Sequence, residues 1–115
     1  FLNYAPERIE YACERYTKGT RRLYGVLDKQ LGRTGAWLVG REYTIADIAC
    51  WPWARSHENH AIDLADYPNV NRWFETIAAR PAVQRAITVL ADHRRPLLDQ
   101  KARENLFGNA QYERR

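Results

Sequence analysis

Two histidines three positions apart are the first candidates for chemistry. His57 and His60, with Glu58 and Asp63 nearby, place imidazole and carboxylate groups at a spacing that one helical face can present to a metal ion. No third ligand stands at a persuasive spacing, so the sequence assigns no metal site. Ser56 beside His57 is not a nucleophile–base pair, because adjacent helical residues point in different directions. Cys13 and Cys50 are the only cysteines, with neither a CxxC nor a Cys/His zinc pattern. They read as small core residues of a reduced, cytoplasmic protein. No glycine-rich phosphate loop is present. On its own residues the chain has no catalytic constellation.

Charge is the second source of chemistry. The formal balance is +4, and fifteen of the eighteen basic residues are arginine, the side chain suited to forked contacts with carboxylate or phosphate. Arg8, Arg15, Arg22 and Lys29 recur at seven-residue intervals. A helix drifts only about 20° per heptad, so the four make a nearly straight basic stripe. Two readings stand: a solvated face supported by pairs such as Glu14 with Lys18, or an edge that faces an anion. The basic residues lack the clustering and recognition helix of a nucleic-acid reader, so no nucleic acid is expected. No run is long and apolar enough to span a membrane, so none is expected as a partner.

The elements that would position these residues are helical. After Pro6, apolar residues at Ile9, Ala12, Cys13, Tyr16, Leu23, Tyr24, Leu27 and Leu31 fall in three- and four-residue steps, predicting a helix from Glu7 to about Leu31. Gly19 and Gly25 within it offer room for another helix to approach, and Gly32 and Gly35 stop it. Trp37, Leu38 and Val39 form a short apolar segment. Tyr43-Thr44-Ile45-Ala46-Asp47-Ile48 then carries a capping box. Thr44 accepts from the Asp47 amide, Asp47 reaches back to the Thr44 amide, and Tyr43 and Ile48 staple the turn. From Ile45 to Ala54 only Asp47 is charged, which predicts a central helix buried all round, kinked at Pro52 and running to about Asn59 or His60. Asp47, Trp51 and Trp53 are read as structural.

Val70, Trp73, Phe74, Ile77 and Ala78 mark a further helix, opened by Pro68 and closed by Arg80-Pro81. Pro81 starts a short fourth one with Ala82, Val83, Ala86 and Ile87. Pro96 breaks the chain again. No strand pattern occurs, and the expected fold class is an all-α bundle. Residues 1–98 form the domain, and 99–115 form a polar extension.

Trp37-Leu38-Val39-Gly40, followed by Tyr43-Thr44-Ile45-Ala46-Asp47-Ile48-Ala49, resembles the signature of the C-terminal helical domain of cytosolic glutathione S-transferases. Tyr67-Pro68-Asn69-Val70-Asn71-Arg72-Trp73 and Ala79-Arg80-Pro81-Ala82-Val83 resemble that domain's next landmarks. Within the family, Ile48-Ala49-Cys50-Trp51-Pro52-Trp53, Glu14-Arg15-Tyr16 and Arg22-Leu23-Tyr24-Gly25-Val26-Leu27-Asp28 resemble the bacterial nu class, known for glutathione-dependent disulfide-bond reductase and peroxidase activity.

The resemblance implies a fold of that domain's type, glutathione as cosubstrate and a homodimeric parent. It also implies an N-terminal thioredoxin-like domain, which the sequence lacks, together with the first helix of the helical domain. The chain is thus expected to be the C-terminal part of an enzyme subunit, not catalytic alone. Arg15 matches the arginine that reaches glutathione from the neighbouring subunit. Tyr4, Tyr11 and Trp53 are candidates for the hydrophobic side of the cleft, while Thr44 and Asp47 match the family's structural capping box. The alternative is a non-catalytic interaction module of the same fold, as in translation factors and tRNA synthetase complexes.

Overall fold

The computed structural model describes residues 2, 5, 7–93 and 100–108. Its described residues are helical and contain no strand. α1 spans Glu10–Thr34, α2 Ile45–Ala54, α3 Pro68–Ala78, α4 Pro81–Thr88 and α5 Gln100–Phe107, with short 3-10 turns at Glu58–His60, Leu64–Asp66 and Ala91–His93. The chain divides into two compact units, Phe1–Arg85 and Ala86–Arg115.

The core of the first unit centres on α3. The indole of Trp73 and the side chains of Val70 and Ile77 are fully buried, and α3 packs against both α1 and α2. Leu31 of α1, Trp51 and Ala54 of α2, and Ile62 and Leu64 of the connector complete the apolar centre. Tyr24 sits against the Tyr67 ring at 5.6 Å between centroids, and Trp51 stacks on Phe74 at 5.5 Å while its Nε1 donates to the Phe74 carbonyl. Burial, with the neighbouring Tyr67 hydroxyl, pushes the Tyr24 phenol above its ordinary value, so it stays protonated at neutral pH.

α1 is shifted three residues along the span its pattern suggested: Ile9 is extended, so the helix begins at Glu10 and not Glu7, and it runs on to Thr34. Gly35 adopts the left-handed conformation, φ 77°, and its amide closes the helix on the Leu31 carbonyl. Gly32 is therefore inside the helix. A Cβ there would lie 3.1 Å from the Asn69 amide nitrogen, whereas the space over Gly19 and Gly25 is open. The close approach falls at Gly32, not at the two glycines that suggested it.

α2 departs more from expectation. Its capping box forms, but only Asp47, Trp51 and Ala54 are buried; Ile45, Ile48, Cys50 and Trp53 are exposed. An apolar composition shows what a helix can bury. Here α3 covers one side, and no described element covers the other. The helix also ends at Ala54, where the Arg55 amide still bonds the Trp51 carbonyl but the next amides, of Ser56 and His57, turn to the carbonyls three residues back at Trp53 and Ala54. A turn and the first 3-10 segment follow.

α3 has no cap of its own: Tyr67 precedes it and contributes no side-chain cap bond. Asp28 of α1 supplies one instead, accepting from the amides of Asn69 at 2.8 Å and Val70 at 3.1 Å and from Asn69 Nδ2 at 3.0 Å. A carboxylate at a helix N-terminus satisfies orphan donors and meets the positive end of the dipole. One residue thereby ties α1 to the first turn of α3.

Candidate functional site

Among the described residues Asp47 is the only charged or polar one fully removed from solvent. Oδ2 accepts from the Thr44 amide at 3.0 Å and the Thr44 hydroxyl at 3.3 Å; Oδ1 accepts from the Leu38 amide at 3.0 Å and Trp73 Nε1 at 2.9 Å. Burial alone would raise its carboxyl, but these four donors outweigh it and hold the group below its ordinary value near 3.8. A carboxylate so saturated with donors has no proton to give at neutral pH. Asp47 is a junction joining the 35–44 loop, α2 and α3.

The faces of α1 carry the exposed chemistry. Cys13, Tyr24 and Leu31 point into the core, and Arg15, Arg22 and Lys29 lie on the opposite side. Arg8 precedes the helix and pairs with Glu10, so the basic stripe has three helical members. Arg15 makes no ion pair or side-chain hydrogen bond to any described residue. It lines an open depression of about 280 Å³ with Tyr11, Glu14 and Lys18. Glu14 is bound by Lys18, which holds its carboxyl below the ordinary value. The arginine fork therefore stands free beside a pair that is already engaged.

A second concavity, of about 430 Å³, lies between α1 and α2. Leu23 and Leu27 form one wall and Cys50, Trp53 and Ala54 the other, with Tyr24 and Thr20 along the first helix. His60 reaches its lining, and the buried Nδ1 of that imidazole has no hydrogen-bond partner.

Of the cleft candidates, Trp53 belongs to this apolar groove and Tyr11 to the Arg15 depression, so the structure does not gather them in one pocket; Tyr4 lies outside the described residues. Cys50 is solvent-exposed rather than core, for the same reason that α2 is covered on one side only. His57 Nδ1 meets the Ile62 carbonyl at 3.0 Å, and its ring packs edge-on to Phe74, so His57 is a structural residue. Among the described residues no three His, Cys, Asp or Glu side chains gather around a common point. No described helix is long and apolar enough to cross a membrane.

Sequence reasoning missed Asp28. The signal was present but indirect, since a helix opened by Pro68 with Tyr67 before it lacks the usual Ser, Thr, Asp or Asn cap and must be satisfied from elsewhere. It also missed the orphaned nitrogen of His60, which no periodicity reveals.

An all-helical unit whose second helix starts on a buried Thr–Asp capping box and whose third helix closes over it defines a class. The glutathione S-transferase, C-terminal domain family model matches residues 5–81, and the chain belongs to that family. Disulfide-bond oxidoreductase YfcG of Escherichia coli (strain K12) is 51% identical over 87 residues, covering 76% of this chain and 40% of that protein. Disulfide-bond oxidoreductase YghU of the same strain is 42% identical over 92 residues, covering 74% and 32%. Among solved structures, a glutathione transferase homolog from Lodderomyces elongisporus with two glutathione molecules per subunit superposes with a TM-score of 0.73 at 34% identity, covering 77% of this chain and 43% of that one. Ure2p in complex with glutathione gives 0.71 at 34%, covering 75% and 43%. The chain thus spans less than half the length of these relatives.

Proposed function

We propose that this chain is the C-terminal helical part of a cytoplasmic, homodimeric glutathione-dependent disulfide-bond reductase or transferase subunit. In this reading Arg15 contacts a glutathione carboxylate held mainly by the neighbouring subunit. The observation that carries it is the Arg15 guanidinium, exposed and without a protein partner while Glu14 beside it is taken by Lys18. The 51% identity to a disulfide-bond oxidoreductase supplies the class of chemistry. Glutathione fits such a position because its two carboxylates match the planar fork of an arginine. Tyr11, in the same depression, supplies an aromatic wall beside it. The chain itself brings no nucleophile or proton-transfer pair to this depression. The sulfur chemistry belongs to a thioredoxin-like domain N-terminal to these residues in the whole subunit, and this part holds and orients.

The test is a glutathione titration of the full-length parent. Hydrogen bonds to a charged group contribute on the order of 1.5–3 kcal/mol, reduced by exposure. Arg15→Ala should therefore weaken binding about 5- to 30-fold, taking 1.4 kcal/mol per decade. Arg15→Lys should restore only part, because an ammonium keeps the charge without the fork. Arg8→Ala removes a guanidinium already bound to Glu10 and should change little. Equal, small effects at Arg8 and Arg15 would return the stripe to a solvated face.

A further inference from the structure

Arg15 keeps its fork free although an acid stands next to it. Side chains at three- and four-residue spacing are the ones that meet on a helix surface. For Arg15 those are Tyr11, Ala12, Lys18 and Gly19, none of them acidic. Glu10, the next acid toward the N-terminus, is bound to Arg8. The acid that shares the depression with Arg15 is Glu14. Adjacent side chains leave a helix about 100° apart, but glutamate and arginine are both long, and these two border one hollow. Glu14 is drawn the other way. Lys18 lies four residues on, the more favourable order for an acid and a base, and its ammonium donates to Oε1 of Glu14 in an exposed pair. That bond holds the Glu14 carboxyl below its ordinary value.

Taking Arg15 as the glutathione contact proposed above, we infer that Lys18 is a positioning residue for it. By engaging Glu14, Lys18 keeps the neighbouring carboxylate off the arginine fork and reserves the fork for a carboxylate that arrives from outside. Lys18 acts through Glu14 and does not touch the ligand. Without it, the released carboxylate would compete for the guanidinium from within the same helix, at an effective concentration set by the chain, and would repel the carboxylates of glutathione. The engaged pair carries no net charge, so the depression presents the single positive charge of Arg15. This balance separates positioning from direct binding, because a lysine that gripped the ligand itself would matter even with Glu14 gone.

The test is a glutathione titration of the full-length parent across a double-substitution cycle at positions 14 and 18. Lys18→Met keeps the stem without the ammonium and should weaken binding about 3- to 5-fold, the reach of an exposed ion pair. Lys18→Arg still engages Glu14 and should bind as the natural protein does. Adding Glu14→Gln to Lys18→Met should restore natural affinity, since no carboxylate remains to compete. The difference between Lys18→Met and the natural protein should also shrink in about 1 M salt, where the screening length falls to about 3 Å. Both side chains are largely exposed, so far-UV circular dichroism should be unchanged throughout. Natural affinity in Lys18→Met would overturn the inference, because Glu14 would then not compete. A double variant as weak as Lys18→Met would also overturn it, because Lys18 would then hold the ligand directly. Arg15→Ala runs in parallel. If it leaves affinity unchanged, the proposed function fails and the Lys18 role with it; if it weakens binding while Lys18→Met does not, only the Lys18 role fails.

Discussion

Replacing Asp47 by alanine tests whether this carboxylate only caps α2 or also joins three segments. A lost cap costs about 1 kcal/mol. The geometry asks for more. Asp47→Ala strands the Thr44 amide, the Leu38 amide and the indole N–H of Trp73, and the last lies in the fully buried centre of the unit. Each buried donor left unsatisfied costs about 1–3 kcal/mol, and water entering beside the part-buried loop relieves some of the other two. The expected loss is about 3–5 kcal/mol, a large fraction of the roughly 5–15 kcal/mol that holds a domain together. Thr44→Ala isolates the hydroxyl side of the cap and should cost about 1 kcal/mol. Asp47→Asn keeps one acceptor oxygen but turns an NH2 toward donors on the other side, and should fall between them. Urea unfolding of the 115-residue chain, followed by tryptophan fluorescence and far-UV circular dichroism, measures all three. An Asp47→Ala chain unfolded without denaturant agrees with the upper end. Equal losses of about 1 kcal/mol for Asp47→Ala and Thr44→Ala would refute the junction and leave a simple cap.

The depressed carboxyl of Asp47 sets a pH dependence of definite sign: its stabilisation is present above the ordinary value near 3.8 and is lost as pH falls below that toward the lower native value. Urea midpoints should therefore fall more steeply below pH 4 for the natural chain than for Asp47→Asn. Asp28→Ala removes the cap that α1 provides to α3 and should destabilise by about 1–3 kcal/mol by the same urea measurement, although residue 28 is far from residue 69 in sequence. Gly25→Ala, with open space around the new Cβ, should raise stability by about 0.5–1 kcal/mol. Gly32→Ala should gain less or lose, because its Cβ meets the Asn69 amide bonded to Asp28, and a thermal melt of the two variants separates them.

How much of this was legible in the chain follows from how far each interaction reaches. The capping box at Thr44 and Asp47 and the proline starts of α3 and α4 are contacts within one turn, so residue order alone determined them. The core face of α3 was equally legible, because Val70, Trp73 and Ile77 share a face by helical period whatever packs on it. The family signature rests on the same local features. Tertiary structure decided everything in which one element answers another. Asp28 caps a helix 41 residues away because α1 lies across its first turn, and Asp47 takes its buried fourth donor from Trp73. α2 had the composition of a helix covered on all sides, yet Ile48 and Trp53 face outward. Hydrophobicity states a helix's demand for cover, while only the placement of α3 on one flank and the open groove on the other show how much of that demand is met. For the basic stripe, period put Arg15, Arg22 and Lys29 on one line. The Glu14–Lys18 pair, four residues apart on one helix, was legible in the same way. Only the coordinates showed that Arg8 stands before the helix bound to Glu10 and that the Arg15 fork is left free, because pairing depends on which acids lie within reach in space.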